Sequence, residues 1–268
     1  MIGTVKELFD SLWLKYFQGH EHVRKVYELF LEKESEVVND HIALRTFDDE
    51  AVSIEKVSSK FKSLGYHAKG MYVFKEKKLK ACHFEHENEK YPLVFISAFD
   101  VKSLSISNRE LVNNVLLKLR NRRLENEDLL MGGRLWEPIS YKDYQNLRSE
   151  SEYAAWLCAF GYIPNHFTVS LNHCEQLRDF DILIPYLKEN NIVLNDSGGI
   201  VKGTKEDKLI QASTKADVVE VEFSDGKYKI PGCYYEFAKR YLLPNGKLFR
   251  GFITTSADKI FESTDHKN

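Results

Sequence analysis

The chain lacks most of the features that sort a sequence quickly. Its 268 residues hold only four cysteines, Cys82, Cys158, Cys174 and Cys233, far apart and without CxxC spacing. That pattern argues against a disulfide framework or a cysteine zinc cluster and predicts free thiols in a cytoplasmic protein. No long basic run occurs, and the formal net charge of -2 comes from interspersed signs, so no nucleic-acid partner is expected. The apolar run at residues 154–163 falls well short of the ~20 residues that span a bilayer, so no membrane partner is expected either. Glu7 and Asp10 interrupt the N-terminal apolar pattern, which therefore does not predict a secretory leader. No GxSxG, P-loop or GxGxxG stands before a helix, and no HExxH is present. The local signatures of serine hydrolases, nucleotide binders and zincins are thus missing.

What is present is a soluble composition, 43% hydrophobic and 29% charged, in a chain long enough for a sizeable core. The stretch Asn39-Asp40-His41-Ile42-Ala43-Leu44-Arg45-Thr46-Phe47 reads as a strand. His41, Ala43 and Arg45 fall on one face, with Ile42, Leu44 and Phe47 on the buried side. An imidazole and a guanidinium then share a face, roughly 13 Å apart at strand rise, with room for a small anion between them.

Helical spacing over 4–17 and 21–33 predicts an N-terminal helical cap, residues 1–36, with His20 and His22 facing solvent at the junction. After the His41 strand, Asp48 and Asp49 can cap a helix at 52–64 that ends at Gly65. Strand-like segments follow at 66–74, 79–86 and 93–99. A helical connection over 100–164 contains a helix at 108–124, a loop-rich passage at 125–138, and helices at 141–148 and 151–160. Residues 165–172 alternate almost strictly, with Phe167, Val169 and Leu171 toward a core and His166, Thr168, Ser170 and Asn172 on the other face. A helix at 174–189 and strands at 192–194, 208–212, 218–223 and 234–242 complete the pattern.

The order βαβββ thus occurs twice, at 40–99 and 165–242, which predicts an internal duplication. The fold class is α+β. Two βαβββ units pair into a curved mixed sheet around a cleft, with added helices, as one domain over 1–268 in which 243–268 completes the site. His41 and His166, at matching positions, face each other across the cleft. A divalent metal needs a third ligand, and Glu236 in the aromatic-rich segment 231–240 is the candidate. An ion pair between Glu236 and Arg240 is the alternative, since Tyr234, Glu236, Ala238 and Arg240 share a face. Glu220 and Glu222 read as the exposed side of an ordinary amphipathic strand. Two histidines and a carboxylate with open positions form the facial triad of non-haem iron(II) oxygenases, although Zn, Mn or Ni could use the same ligands. His83, Gln211, Ser213 and Arg240 are candidates to line the cleft. His86 lies on the face opposite His83, and His67, His173 and His266 read as structural or exposed.

Several segments together resemble the 2-oxoadipate dioxygenase/decarboxylase (hydroxyglutarate synthase) family. They are Asp40-His41-Ile42-Ala43-Leu44-Arg45, Ser151-Glu152-Tyr153-Ala154-Ala155-Trp156, Asn165-His166-Phe167-Thr168, Gln211-Ala212-Ser213-Thr214, Tyr235-Glu236-Phe237, and Gly251-Phe252 through Ser263. The resemblance implies a fold of the vicinal oxygen chelate type and an iron(II) enzyme that turns 2-oxoadipate and O2 into 2-hydroxyglutarate and CO2, a step of lysine catabolism. It implies metal ligation by His41, His166 and Glu236, a grip on the substrate carboxylate by Arg45, and further substrate contacts from Thr255, Ser256 and Ala257. The chain is shorter than the family's larger members, so the metal ligands carry over more directly than the substrate pocket. Two other classes fit the cleft: a glyoxalase-like metal isomerase, lyase or hydrolase, and a non-catalytic small-molecule binding protein.

Overall fold

The structure, a computed structural model, describes residues 2–120 and 126–264. The end of the helix expected over 108–124 and His266 lie outside the described residues. Two helices open the chain, α1 (Val5–Phe17) and α2 (Glu21–Leu31). Thr4 and Glu7 form a reciprocal capping box at the start of α1, which satisfies two otherwise unpaired amides. Next come β1 (Asn39–Phe47), α3 (Ile54–Ser63), β2 (Tyr66–Phe74), β3 (Leu79–His86) and β4 (Leu93–Phe99). Ser53, not Asp48 or Asp49, caps α3, while the Asp49 carboxylate instead accepts from the Ala51 amide. Helices α4 (Ile106–Arg120), α5 (Asn126–Met131), α6 (Tyr141–Glu150) and α7 (Glu152–Phe160) form the connection. The second half contains β5 (Pro164–Ser170), α8 (Phe180–Glu189), β6 (Leu209–Ser213), β7 (Val218–Phe223), β8 (Gly226–Pro231), β9 (Tyr234–Arg240) and α9 (Thr254–Phe261).

Seven strands form one curled mixed sheet in the order β2-β3-β4-β1-β5-β9-β6. The order reads almost the same from either end. β1 pairs parallel with β4, and β5 pairs parallel with β9, while β1 and β5 meet antiparallel at the centre. His41 lies opposite Leu93 in one ladder and His166 opposite Tyr234 in the other. Two positions on, Ala43 meets Phe95 and Thr168 meets Glu236. The two halves are therefore the same device repeated about an approximate two-fold between β1 and β5.

The second half departs from the expected pattern in three places. Residues 192–194 form no strand; Leu194 makes a single bridge to Thr214. The 218–223 strand pairs with β8 in a separate two-stranded sheet, so it is an insertion between β6 and β9. The helix expected from 174 begins only at Phe180. Upstream of it, the amides of Glu175, Gln176 and Leu177 donate to the buried Glu34 carboxylate, which holds that backbone out of a helical turn.

The convex face of the second half packs against the N-terminal helices. Trp13 and Tyr16 contact Phe167 and Tyr235, and Phe30 stacks on Phe237. The concave face carries the opposite set of side chains, as strand alternation requires. Helix α9 crosses that face and touches both β2 and β6, the two outer strands of the sheet. His20 is buried, against the solvent-facing expectation, because its Nδ1 meets the Asp217 carboxylate at 3.0 Å, beside Cys233. His22 is only partly exposed. All four cysteines are free.

Candidate metal centre

Three side chains converge on the concave face near the two-fold. His41 comes from β1, His166 from β5 and Glu236 from β9, each almost fully buried. Glu236 Oε2 lies 3.1 Å from His166 Nε2, and Glu236 Oε1 lies 3.5 Å from His41 Nε2. One ligand atom from each residue falls within 4.8 Å of the other two. Metal–ligand bonds of about 2.0–2.2 Å would draw the three donors slightly together, so the set fits one divalent ion of the kind that takes imidazole and carboxylate.

Supporting groups fix the donors. His41 Nδ1 is 2.7 Å from Asp40 Oδ1. Asp40 is in turn held by Arg240, with Nε donating to Oδ2 at 2.7 Å and Nη2 to Oδ1 at 2.9 Å. Burial opposes ionisation of Asp40, but Arg240 and His41 outweigh it and hold the carboxyl well below the usual carboxylate range. The charged acceptor keeps a proton on His41 Nδ1 and turns the Nε2 lone pair inward. The Thr168 hydroxyl lies 3.1 Å from that nitrogen. Asn165 Oδ1 sits 3.3 Å from His166 Nδ1 and plays the same part. Burial, then His41 and Arg45, push the His166 imidazole well below its ordinary value, so it is neutral and able to ligate. Burial raises the Glu236 carboxyl, against the pull of His41 and of Gln211, whose amide donates to Oε1.

The duplication leaves one position without a donor. Phe95 stands in the first half where Glu236 stands in the second. It lines the cavity beside the three donors, together with Phe252, Tyr234 and Gln211. An ion here would be held by His41, His166 and Glu236, with Phe95 where a fourth protein ligand would stand, so positions would be left for substrate. The cavity measures about 20 Å³ and is also lined by Ala257, Ile260 and Phe261 of α9.

The remaining expected residues are spread more widely. Gln211 lines the cavity, as does Ala257. Ser213 is turned to Ser263 at 2.8 Å instead of into the cavity. Arg240 grips Asp40, so it neither lines the cavity nor pairs with Glu236. His83 is engaged by the Tyr72 hydroxyl and Glu85, at 2.9 and 3.1 Å, one layer behind Phe252. Thr255 is exposed and Ser256 buried, and neither lines the cavity. Arg45 lies on the His41 face but is covered. Its Nη1 is 3.3 Å from Glu152, and its Nη2 donates to Thr264 at 3.0 Å. The Tyr153 and Trp156 rings flank its guanidinium at 4.7 and 4.9 Å. Arg45 Nε has no hydrogen-bond partner among the described residues. Asp40, Phe95 and Phe252 were not anticipated. Asp40 was within reach, because it directly precedes a candidate ligand.

A sequence model described as 2-oxoadipate dioxygenase/decarboxylase matches residues 15–133 and 128–249. A chloroplastic 2-oxoadipate dioxygenase/decarboxylase of Arabidopsis thaliana is 33% identical over 250 residues, covering 84% of this chain and 67% of that protein. The structure of hydroxyglutarate synthase from Oryza sativa, in complex with 2-oxoadipate, superimposes with a TM-score of 0.89 at 30% identity, covering 96% of this chain and 90% of that one. A Shewanella frigidimarina structure that carries a provisional hydrolase name has a TM-score of 0.87 at 39% identity, covering 95% and 99%.

Proposed function

The chain belongs to the 2-oxoadipate dioxygenase/decarboxylase family, and from that premise we propose that it converts 2-oxoadipate and O2 to 2-hydroxyglutarate and CO2, with iron(II) held by His41, His166 and Glu236. The substrate loses its first carboxylate as CO2. Its keto carbon becomes a carboxylate and the adjacent carbon gains a hydroxyl, one oxygen atom of O2 to each, with all four electrons drawn from the acid. Iron(II), when bound, supplies a chelating position for the carboxylate and 2-oxo oxygen and a redox centre for O2.

The remaining work falls to side chains. Asp40 and Asn165 orient the two imidazoles, and Gln211 steadies Glu236. Arg45 offers a planar fork to the distal carboxylate and so measures chain length. Glu152 and Thr264 occupy that fork, so an acid bound to Arg45 takes the place of one of them. Phe95, Phe252 and Phe261 exclude water. A cavity of about 20 Å³ holds little more than the one water that needs ~10–15 Å³. A six-carbon diacid is larger than that volume, so the lining side chains, Phe252 among them, rearrange to admit it. Of the 255–257 segment, Ala257 lines the cavity, which supports it as the substrate contact.

The single observation that supports this reading most is the broken symmetry of the donor set. Phe95 stands where the duplication would put a second carboxylate, which leaves two histidines and one carboxylate, the donor set of non-haem iron(II) oxygenases. No helix among the described residues is long and apolar enough to cross a membrane. A cytoplasmic location rests on the four free thiols alone. The test is oxygen uptake by iron(II)-loaded protein across a panel of 2-oxo acids, with 2-hydroxyglutarate and CO2 quantified. Uptake should be greatest with 2-oxoadipate and absent in zinc-loaded protein, since zinc has no redox chemistry. Turnover that persists without oxygen would assign the protein to an isomerase, lyase or hydrolase class instead.

A further inference from the structure

Tyr234 opens β9 two residues before Glu236, on the same face of the strand. It is fully buried, its ring lies 4.6 Å from that of His166, and it lines the metal cavity. Its hydroxyl has no hydrogen-bond partner among the described residues. Buried polar groups are nearly always satisfied, and one that is not calls for a specific explanation. Tyr153 and Tyr72, also on the concave side, have theirs satisfied. The Tyr235 hydroxyl is unpartnered as well, but its ring points to the convex face against Trp13 and Tyr16.

The duplication supplies a control within the molecule. The position equivalent to Tyr234 in the first half is Leu93, since each lies opposite its half's histidine. The fold is therefore satisfied by an apolar side chain at this point, and packing does not account for the hydroxyl. Two more unpartnered atoms, Gln211 Oε1 and Arg45 Nε, belong to residues at the two ends of the proposed substrate path.

We propose that Tyr234 is a substrate-binding residue that donates its phenolic hydrogen to an oxygen of the 2-oxo acid head. The inference rests on the functional reading above. Among the described residues, the hydroxyl receives a partner only when the acid is bound. It thereby fixes which way the head group turns beside His166.

The experiment compares iron(II)-loaded wild type and Tyr234→Phe under nitrogen. Both are titrated with 2-oxoadipate by calorimetry, and iron content and melting temperature are measured on the same samples. The variant should bind 2-oxoadipate about 10- to 100-fold more weakly, the range for a hydrogen bond to a charged group. Its iron content should be unchanged and its melting temperature equal or higher, because an unsatisfied buried hydroxyl has gone. Equal affinity in the two proteins overturns the proposal and leaves the functional reading standing. Loss of iron from the variant also overturns it, because the phenol would then serve His166. If wild type itself does not bind 2-oxoadipate, the functional reading falls and this proposal falls with it.

Discussion

Replacing Asp40 by Asn keeps the shape of the side chain and removes its charge. Asp40 accepts one bond involving His41 at 2.7 Å and two from Arg240 at 2.7 and 2.9 Å. An Asn there has one acceptor oxygen and two donor hydrogens. If the oxygen takes the Oδ1 place, it still serves His41 and Arg240 Nη2 while the amide hydrogens face Arg240 Nε, and the reverse orientation leaves His41 Nδ1 and Arg240 Nη2 facing donor hydrogens. Both partners are buried, so the guanidinium loses its counter-ion and regains little solvation. Breaking a buried ion pair from one side costs about 3–5 kcal/mol. Arg240 keeps its bonds to the Phe249 and Gly251 carbonyls, which points to the lower end. A melting-temperature drop on the order of 10 °C follows. Removing the group that orients a metal-ligating histidine typically weakens metal binding by ~10- to 100-fold. Thermal unfolding and competition with a chromophoric chelator measure the two effects separately. A metal Kd within twofold of wild type, alongside the expected loss of stability, would refute the idea that Asp40 acts through His41 and leave it a brace between β1 and β9.

Three further outcomes are expected. His166→Ala should retain its circular dichroism spectrum and lose bound metal, and stoichiometric metal in that variant would remove His166 from the site. Arg45→Lys should lose roughly 30- to 1000-fold in kcat/KM on 2-oxo diacids, about 2–4 kcal/mol, with smaller losses on monoacids; an unchanged diacid-to-monoacid ratio would mean that Arg45 does not read the distal carboxylate. Burial alone would lower the His20 imidazole, but Cys233 and Asp217 outweigh it and raise it to about 10. Because its unfolded value is ~6.5, its contribution to stability is complete below that pH and is lost as pH rises toward 10. Wild-type melting temperature should fall across that window, and Asp217→Asn should flatten the fall; parallel curves would count against the His20–Asp217 pair.

The strand from Asn39 to Phe47 was legible in the sequence because alternation is a local property, and so was the matching strand at His166. The separate hairpin of β7 and β8 was not, since alternation announces a strand but not its partner. The surroundings of Arg45 were illegible for the same reason. Its partners Glu152 and Thr264 lie 107 and 219 positions away in the chain. His20 misled because a polar residue between two helices usually faces solvent, and here Asp217 reaches it from 197 positions on. Tyr234 was visible on the Glu236 face, but only the assembled cavity distinguishes an unsatisfied phenol from a packed one.

A cradle made of two identical halves has no direction. An acid with a carboxylate at each end could lie in it either way round. In this molecule the two-fold is kept where the histidines stand and broken everywhere that an end group would be recognised. Glu236 answers to Phe95, Tyr234 to Leu93, and Arg45 to Ser170, four residues beyond each histidine. The acidic and phenolic groups belong to the second half and the guanidinium to the first. On the proposed reading, these departures from symmetry give the cleft a polarity, with the oxidised end of the acid toward β9 and its far end toward β1.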